Sequence, residues 1–168
     1  MKFRLKVFFV LMLMLVNFGC ERDEICLEEI TPKLILRFYN ENNTNELKRV
    51  QGLIVNIEGI EGDYEDESIT VFTDSIAVPL RVTDNSTKII LNLSGDADQG
   101  IEDNRDTLSV IYSQEDIFIS RACGYKTVYN EAQAMLVDDQ ENWIKGIEIS
   151  KEPLQIIDEN RAHVKIYH

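Results

Sequence analysis

Histidine is scarce in this chain, with two in 168 residues, and that scarcity narrows the chemistry at once. His163 and His168 stand five apart on a segment of strand-like alternation, so their side chains point to opposite faces and cannot share one metal ion. The three cysteines, at 20, 26 and 123, add no recognisable zinc spacing. The string Gly-x-Ser-x-Gly is missing, which removes the serine elbow of one hydrolase class. His163 is expected to be a half-exposed strand residue and not a general base. Basic residues are also few, 17 against 30 acids for a formal charge of −13, so phosphate-binding patches are lacking and nucleic acid is not expected as a partner. No long apolar run occurs. The ten residues from Val7 to Val16 fall well short of the about 20 that a membrane-spanning helix needs.

What is present begins with that short run. Lys2, Arg4 and Lys6 precede it, Asn17-Phe18-Gly19 follow, and the chain turns acidic immediately after Cys20. This is the three-part layout of a secretory signal, and Gly19-Cys20 makes it resemble a bacterial lipoprotein signal. Residues 1–19 are therefore expected to be removed as a signal helix, with Cys20 lipidated. Ordinary cleavage after Gly19, leaving Cys20 as a free or bridged thiol, is the alternative. More than one acyl chain on a cysteine gives a stable anchor, because each buried methylene contributes about 0.8 kcal/mol. The mature chain keeps 14 basic residues against 30 acids, a formal charge of −16 that repels anionic head groups. Membrane contact is thus expected through the lipid alone.

With Cys20 lipidated, Cys26 and Cys123 form a single pair in an oxidising space and are expected to bridge. The alternative is two reduced thiols, with Cys123 a small buried hydrophobe. Residues 20–29 read as a lipidated cysteine and acidic tether, and 30–168 as one domain of a size that supports a real core.

From Ile30 onward the apolar period is two. Leu34, Leu36 and Phe38 alternate, and Leu53, Val55 and Ile57 repeat the pattern after a polar turn at Asn40 to Asn45, which predicts a first hairpin or sandwich edge. Further strands are predicted over Ile69–Phe72, Ile76–Val82, Ile89–Leu93 and Leu108–Tyr112. Pro79 places its strand at a sheet edge or beside a bulge. A turn at Gln114 to Asp116 and a core strand over Ile117–Cys123 come next, with Gly124 permitting a bend. Tyr125–Val137 reads mainly as strand, Trp143 as a core cap, and Trp143–Ile149 and Ala162–Ile166 as the last strands. Eight to ten short strands with no long helices between them, and no repeat of 20 to 50 residues, predict an all-β fold, an antiparallel β-sandwich that is immunoglobulin-like or related.

The acidic runs are the remaining candidates for chemistry. Glu61–Glu67 and Asp96–Asp103 offer the oxygen ligands that calcium prefers, and Asp96, Asp98, Glu102 and Asp103 are the candidate ligands. The order departs from an EF-hand, with glycine at the fifth position and Thr107 where the closing glutamate belongs. A solvated loop is the competing reading. Tyr112, Tyr125, Tyr129 and Trp143 are candidates for a ligand or partner surface, or for core. Asp74-Ser75-Ile76 and Asp106-Thr107-Leu108 resemble a short glycan-acceptor motif of some bacterial envelopes.

Several strings resemble one family: Cys20-Glu21 with Ile25-Cys26, Thr31 to Tyr39, Ser120 to Thr127, and Ile157 to Asn160 with His163 to Ile166. The family is one of small bacterial envelope lipoproteins, a domain of unknown function, family 6452. The resemblance implies a lipid anchor and a Cys26–Cys123 pairing, and it carries no activity, cofactor or catalytic residue. Together the readings lead to the expectation of a noncatalytic lipid-anchored protein of the cell envelope, in the outer membrane, that acts as an interaction or assembly module for an envelope protein partner. The rival is an envelope binding protein for a small ligand, a glycan or calcium through the acidic loops.

Overall fold

The two-residue period builds ten strands in the computed structural model, which describes residues 25–26, 31–59, 73–94 and 103–168. They are β1 Leu34–Asn40, β2 Asn43–Leu47, β3 Leu53–Ile57, β4 Ser75–Val78, β5 Ser86–Leu93, β6 Asn104–Ser120, β7 Gly124–Val137, β8 Gly146–Ile149, β9 Leu154–Ile156 and β10 Val164–Tyr167. One sheet runs β2-β1-β10-β8, with β4 following β2 along the same edge of β1. The other runs β3-β5-β6-β7-β9 and is antiparallel throughout. Leu34, Leu36 and Phe38 from β1 and Val164 and Ile166 from β10 meet Leu53, Val55, Ile89, Leu91, Leu108 and Val110 of the second sheet in one core. Full burial of each such side chain is worth roughly 1.5–3 kcal/mol. The fold is therefore the expected all-β sandwich.

One ladder departs from an antiparallel plan. β1 and β10 pair in parallel, Leu36 opposite Val164 through Tyr39 opposite Tyr167. His163 locks the start of this seam. Its ring Nδ1 accepts the Ile35 N–H at 2.9 Å, while its backbone N–H donates to the Ile35 carbonyl at 2.9 Å. The residue is 1 % exposed, so the half-exposed strand reading fails. It fails because the alternation says which side a residue faces and not that β1 covers that side.

Burial lowers the His163 pKa, with the Asp158 side chain opposing it. A histidine held neutral in the fold keeps its full stabilising effect above its unfolded pKa, and stability falls as pH drops below about 6.5 toward the folded value. His168, also lowered by burial, acts in the same direction. Urea titrations across pH 5 to 8 are expected to show this loss. In His163→Gln the slope should shrink, at a stability cost of about 1–2 kcal/mol at pH 8 for the disturbed Ile35 amide. An unchanged slope would remove His163 from this role.

Other expectations change. β1 and β3 lie in different sheets, and the hairpin partner of β1 is β2. β2 is exposed along its whole length and carries no apolar face, so the period shows no trace of it. β4 stops at Val78, directly before Pro79, on a strand that among the described residues pairs only with β1, in keeping with the missing amide. Val82, the end of the strand predicted over Ile76–Val82, is exposed and lies beyond β4. No turn interrupts β6 at Gln114 to Asp116; pairing with β7 continues through Gln114–Tyr129, Glu115–Val128 and Asp116–Thr127. Ile117 and Phe118 are exposed, so the stretch from Ile117 is not core. β7 covers Tyr125–Val137 as strand, and Trp143 is buried as a cap whose ring N–H donates to the Leu91 carbonyl at 3.1 Å. The signal segment and Ile69–Phe72 lie outside the described residues.

Candidate functional site

β6 and β7 outrun the core. Asp106, Leu108, Val110 and Tyr112 are buried along β6, but from Ser113 onward its side chains are exposed or half-buried. The far end of this hairpin is a two-stranded arm, a form that is marginally stable alone. Cross-strand polar pairs brace it: Thr127 Oγ1 donates to Asp116 at 2.7 Å and Asn130 Nδ2 to Glu115 at 3.1 Å. Ser120 Oγ accepts the Cys123 N–H at 3.1 Å, and Gly124 takes φ of 72°, a left-handed conformation that suits glycine. Cys123 at this tip is joined to Cys26 in a disulfide, with the Cα atoms 4.9 Å apart. The chain just before the domain is therefore fastened to the end of the arm farthest along the strands from the core.

Phe118 and Tyr125 sit opposite each other on the arm, their rings edge to face at 5.3 Å. They are 56 % and 63 % exposed, and Ile25, beside Cys26, is 81 % exposed. These are the three most exposed large apolar side chains among the described residues. Arg121 is exposed at the turn and Lys126 lies opposite Ile117.

Of the four candidate aromatics, only Tyr125 faces solvent in this way. Tyr112 and Tyr129 are buried, edge to face at 4.8 Å. Tyr112 donates to the Arg81 carbonyl at 2.8 Å and meets Thr87 Oγ1 at 2.6 Å; Tyr129 donates to the Leu80 carbonyl at 3.2 Å. Burial, with the neighbouring Tyr112 hydroxyl, pushes the Tyr129 pKa up to about 12. Both phenols thus hold the segment after β4 against the second sheet and stay neutral.

The buried carboxylate is equally occupied. Asp106 is fully buried, and its two oxygens accept the N–H groups of Ile144 at 2.7 Å and Trp143 at 3.4 Å. Burial raises its pKa, and the Ile144, Trp143 and Asn142 hydrogen bonds pull it back. It is a clamp on the connection between β7 and β8. In the acceptor-like string Asp106-Thr107-Leu108, this use of Asp106 and the pairing of Thr107 with both Ile90 and Val137 place the motif inside a central strand.

Asp96, Asp98 and Glu102 lie outside the described residues, as does Cys20. Asp103 is described, is exposed, and accepts Asn92 Nδ2 at 3.3 Å. Among the described residues no three His, Cys, Asp or Glu side chains converge in a way that would hold a metal. An open groove of about 640 Å³ runs beside β7, with Ala132 and Ala134 on one side and Pro153 and Leu154 on the other. Its charged groups are Glu131 and Glu152, which disfavour anionic ligands.

The exposed tip escaped sequence reading because Ile117 to Cys123 has the composition of core. The available signal was the polar run Ser113 to Asp116, which marks where the strand leaves the sandwich.

The model of a family of unknown function, DUF6452, matches residues 55–168. The match takes in Cys123 and the whole arm and begins after Cys26, so the resemblance expected at Cys20, Cys26 and Thr31 to Tyr39 is not part of it. No curated protein matches the chain, and no solved structure matches it.

Proposed function

The chain belongs to DUF6452, a family of unknown function, and from that premise we propose a noncatalytic module held in the cell envelope, at the outer membrane, by lipid on Cys20. It serves as an interaction or assembly unit for another envelope protein. The observation that carries this reading is the Cys26–Cys123 disulfide. A cysteine bridge suits an exported chain, and this one fixes the residue six positions after Cys20 to a projecting arm instead of leaving a loose leash. The buried titratable groups Asp106 and His163 support it too, since their hydrogen bonds serve the backbone of the sandwich.

Intact mass of the protein from membrane fractions is the direct test. A diacylglyceryl group and a further acyl chain on Cys20 are expected, and Cys20→Ala should move the protein to the soluble fraction, since two or more chains are needed for stable anchoring. Wild-type protein recovered soluble with an unmodified Cys20 would overturn the anchor. Crosslinking in intact cells, followed by purification of the lipidated form, should then return a defined envelope protein; none under saturating crosslinking would remove the assembly role.

A further inference from the structure

We propose that the tip of the β6–β7 arm is a second membrane contact, seated in the lipid interface beside the anchor; this rests on lipidation of Cys20. Covalent reach gives the first reason. Six residues of fully extended chain span no more than about 22 Å, so a lipid-bearing Cys20 holds the Cys26–Cys123 tip within that distance of the bilayer. No other part of the sandwich is tied to the anchor through so short a connection. The second reason is what the tip displays. Phe118, Tyr125 and Ile25 are the most exposed large apolar side chains among the described residues, and all three belong to this end of the molecule.

Charge gives the third. The ten residues Ile117 to Lys126 hold no acid and two bases, Arg121 and Lys126, in a chain of formal charge −13. Acids resume one step back, at Glu115 and Asp116, where Asn130 and Thr127 engage them. The tether beside Cys26 is acidic, with Glu24, Glu28 and Glu29 within three residues of it, so the contact made by the tip is apolar and not one of charge attraction. A phenyl ring with a tyrosine hydroxyl beside it suits the boundary between head groups and acyl chains, where one end of a side chain is apolar and the other wet. Held by lipid and tip together, the sandwich has a fixed end toward the membrane.

The test places a fluorophore at the tip of the full chain. Phe118→Trp and, separately, Tyr125→Trp are purified in lipidated form and reconstituted into phosphatidylethanolamine–phosphatidylglycerol vesicles carrying doxyl-labelled phosphatidylcholine. Ile111→Trp, exposed on β6 within the sandwich, is the control, and the buried Trp143 supplies a constant background. About half of the added emission at 118 and 125 should be quenched, as for side chains about 5–10 Å into the interface, with little quenching at 111. Unquenched tip probes on a protein whose mass shows the lipid would overturn the tip contact and leave the anchor standing. A blue-shifted but unquenched probe would overturn it in favour of a protein partner or second copy. Equal quenching at 111 would overturn the end-on arrangement. A mass without lipid would refute the anchor and this inference with it.

Discussion

Cys26→Ser and Cys123→Ser, singly or together, are expected to lower the unfolding free energy by about 4–5 kcal/mol, because the bridge closes a loop with a sequence separation of 97 residues. The effect arises in the unfolded chain. Closing so long a loop removes much of the freedom of the denatured ensemble, while the native contacts of the arm tip are few and solvent-facing. The serine variants should therefore keep the sandwich and lose stability. Against a typical total of about 5–15 kcal/mol, the loss is roughly a quarter or more. Urea unfolding with and without reductant measures it, and the reduced protein should show a larger m-value, since its unfolded state exposes more surface. A change below about 1 kcal/mol would mean that the tie acts on position alone and not on stability.

The second large effect is at Asp106. Asp106→Ala removes the shared acceptor of the Trp143 and Ile144 amides and strands two buried donors. Each unsatisfied group costs about 1–3 kcal/mol. Part of that loss is returned, because the alanine no longer keeps a carboxylate out of water, the effect that raises the Asp106 pKa. A net destabilisation of about 3 kcal/mol follows, measurable by urea or thermal unfolding. Asp106→Asn is no rescue, since its amide turns a donor toward one of the two N–H groups. The pH dependence has a definite sign. A carboxyl whose folded pKa is raised contributes a penalty that appears as pH rises from its unfolded value of 3.8 toward the folded one. The gap between wild type and Asp106→Ala should thus be wider below that window than above it. Equal stability of the two proteins at neutral pH would show that the β7–β8 connection does not depend on the clamp.

The strands with one apolar face were legible in the residues. Leu53, Val55 and Ile57, or Leu34, Leu36 and Phe38, alternate because one sheet face meets the other sheet, and period two records that burial. β2 was illegible because backbone pairing to β1 at a sheet edge asks nothing of its side chains. Ile117 to Cys123 misled for the opposite reason: its apolar residues are real strand residues that the sandwich does not cover. His163 was placed on the right segment with the wrong environment, because its partner, the Ile35 amide, lies 128 residues away in sequence. The disulfide pairing was accessible from cysteine number together with the expectation of export. Its location at an arm tip was not, since that depends on where the core ends.

The parallel seam between β1 and β10 also sets a timetable. β1 is made early, yet the neighbour on one of its edges begins only at Val164. Until that segment emerges from the ribosome, the first sheet has an unfilled slot and the Ile35 N–H lacks its His163 acceptor. Unpaired strand edges invite wrong partners, and pairings distant in sequence form slowly. This sandwich is therefore completed only once Val164–Tyr167 have been made, and whatever handles the nascent protein must keep an open β1 out of trouble until β10 arrives.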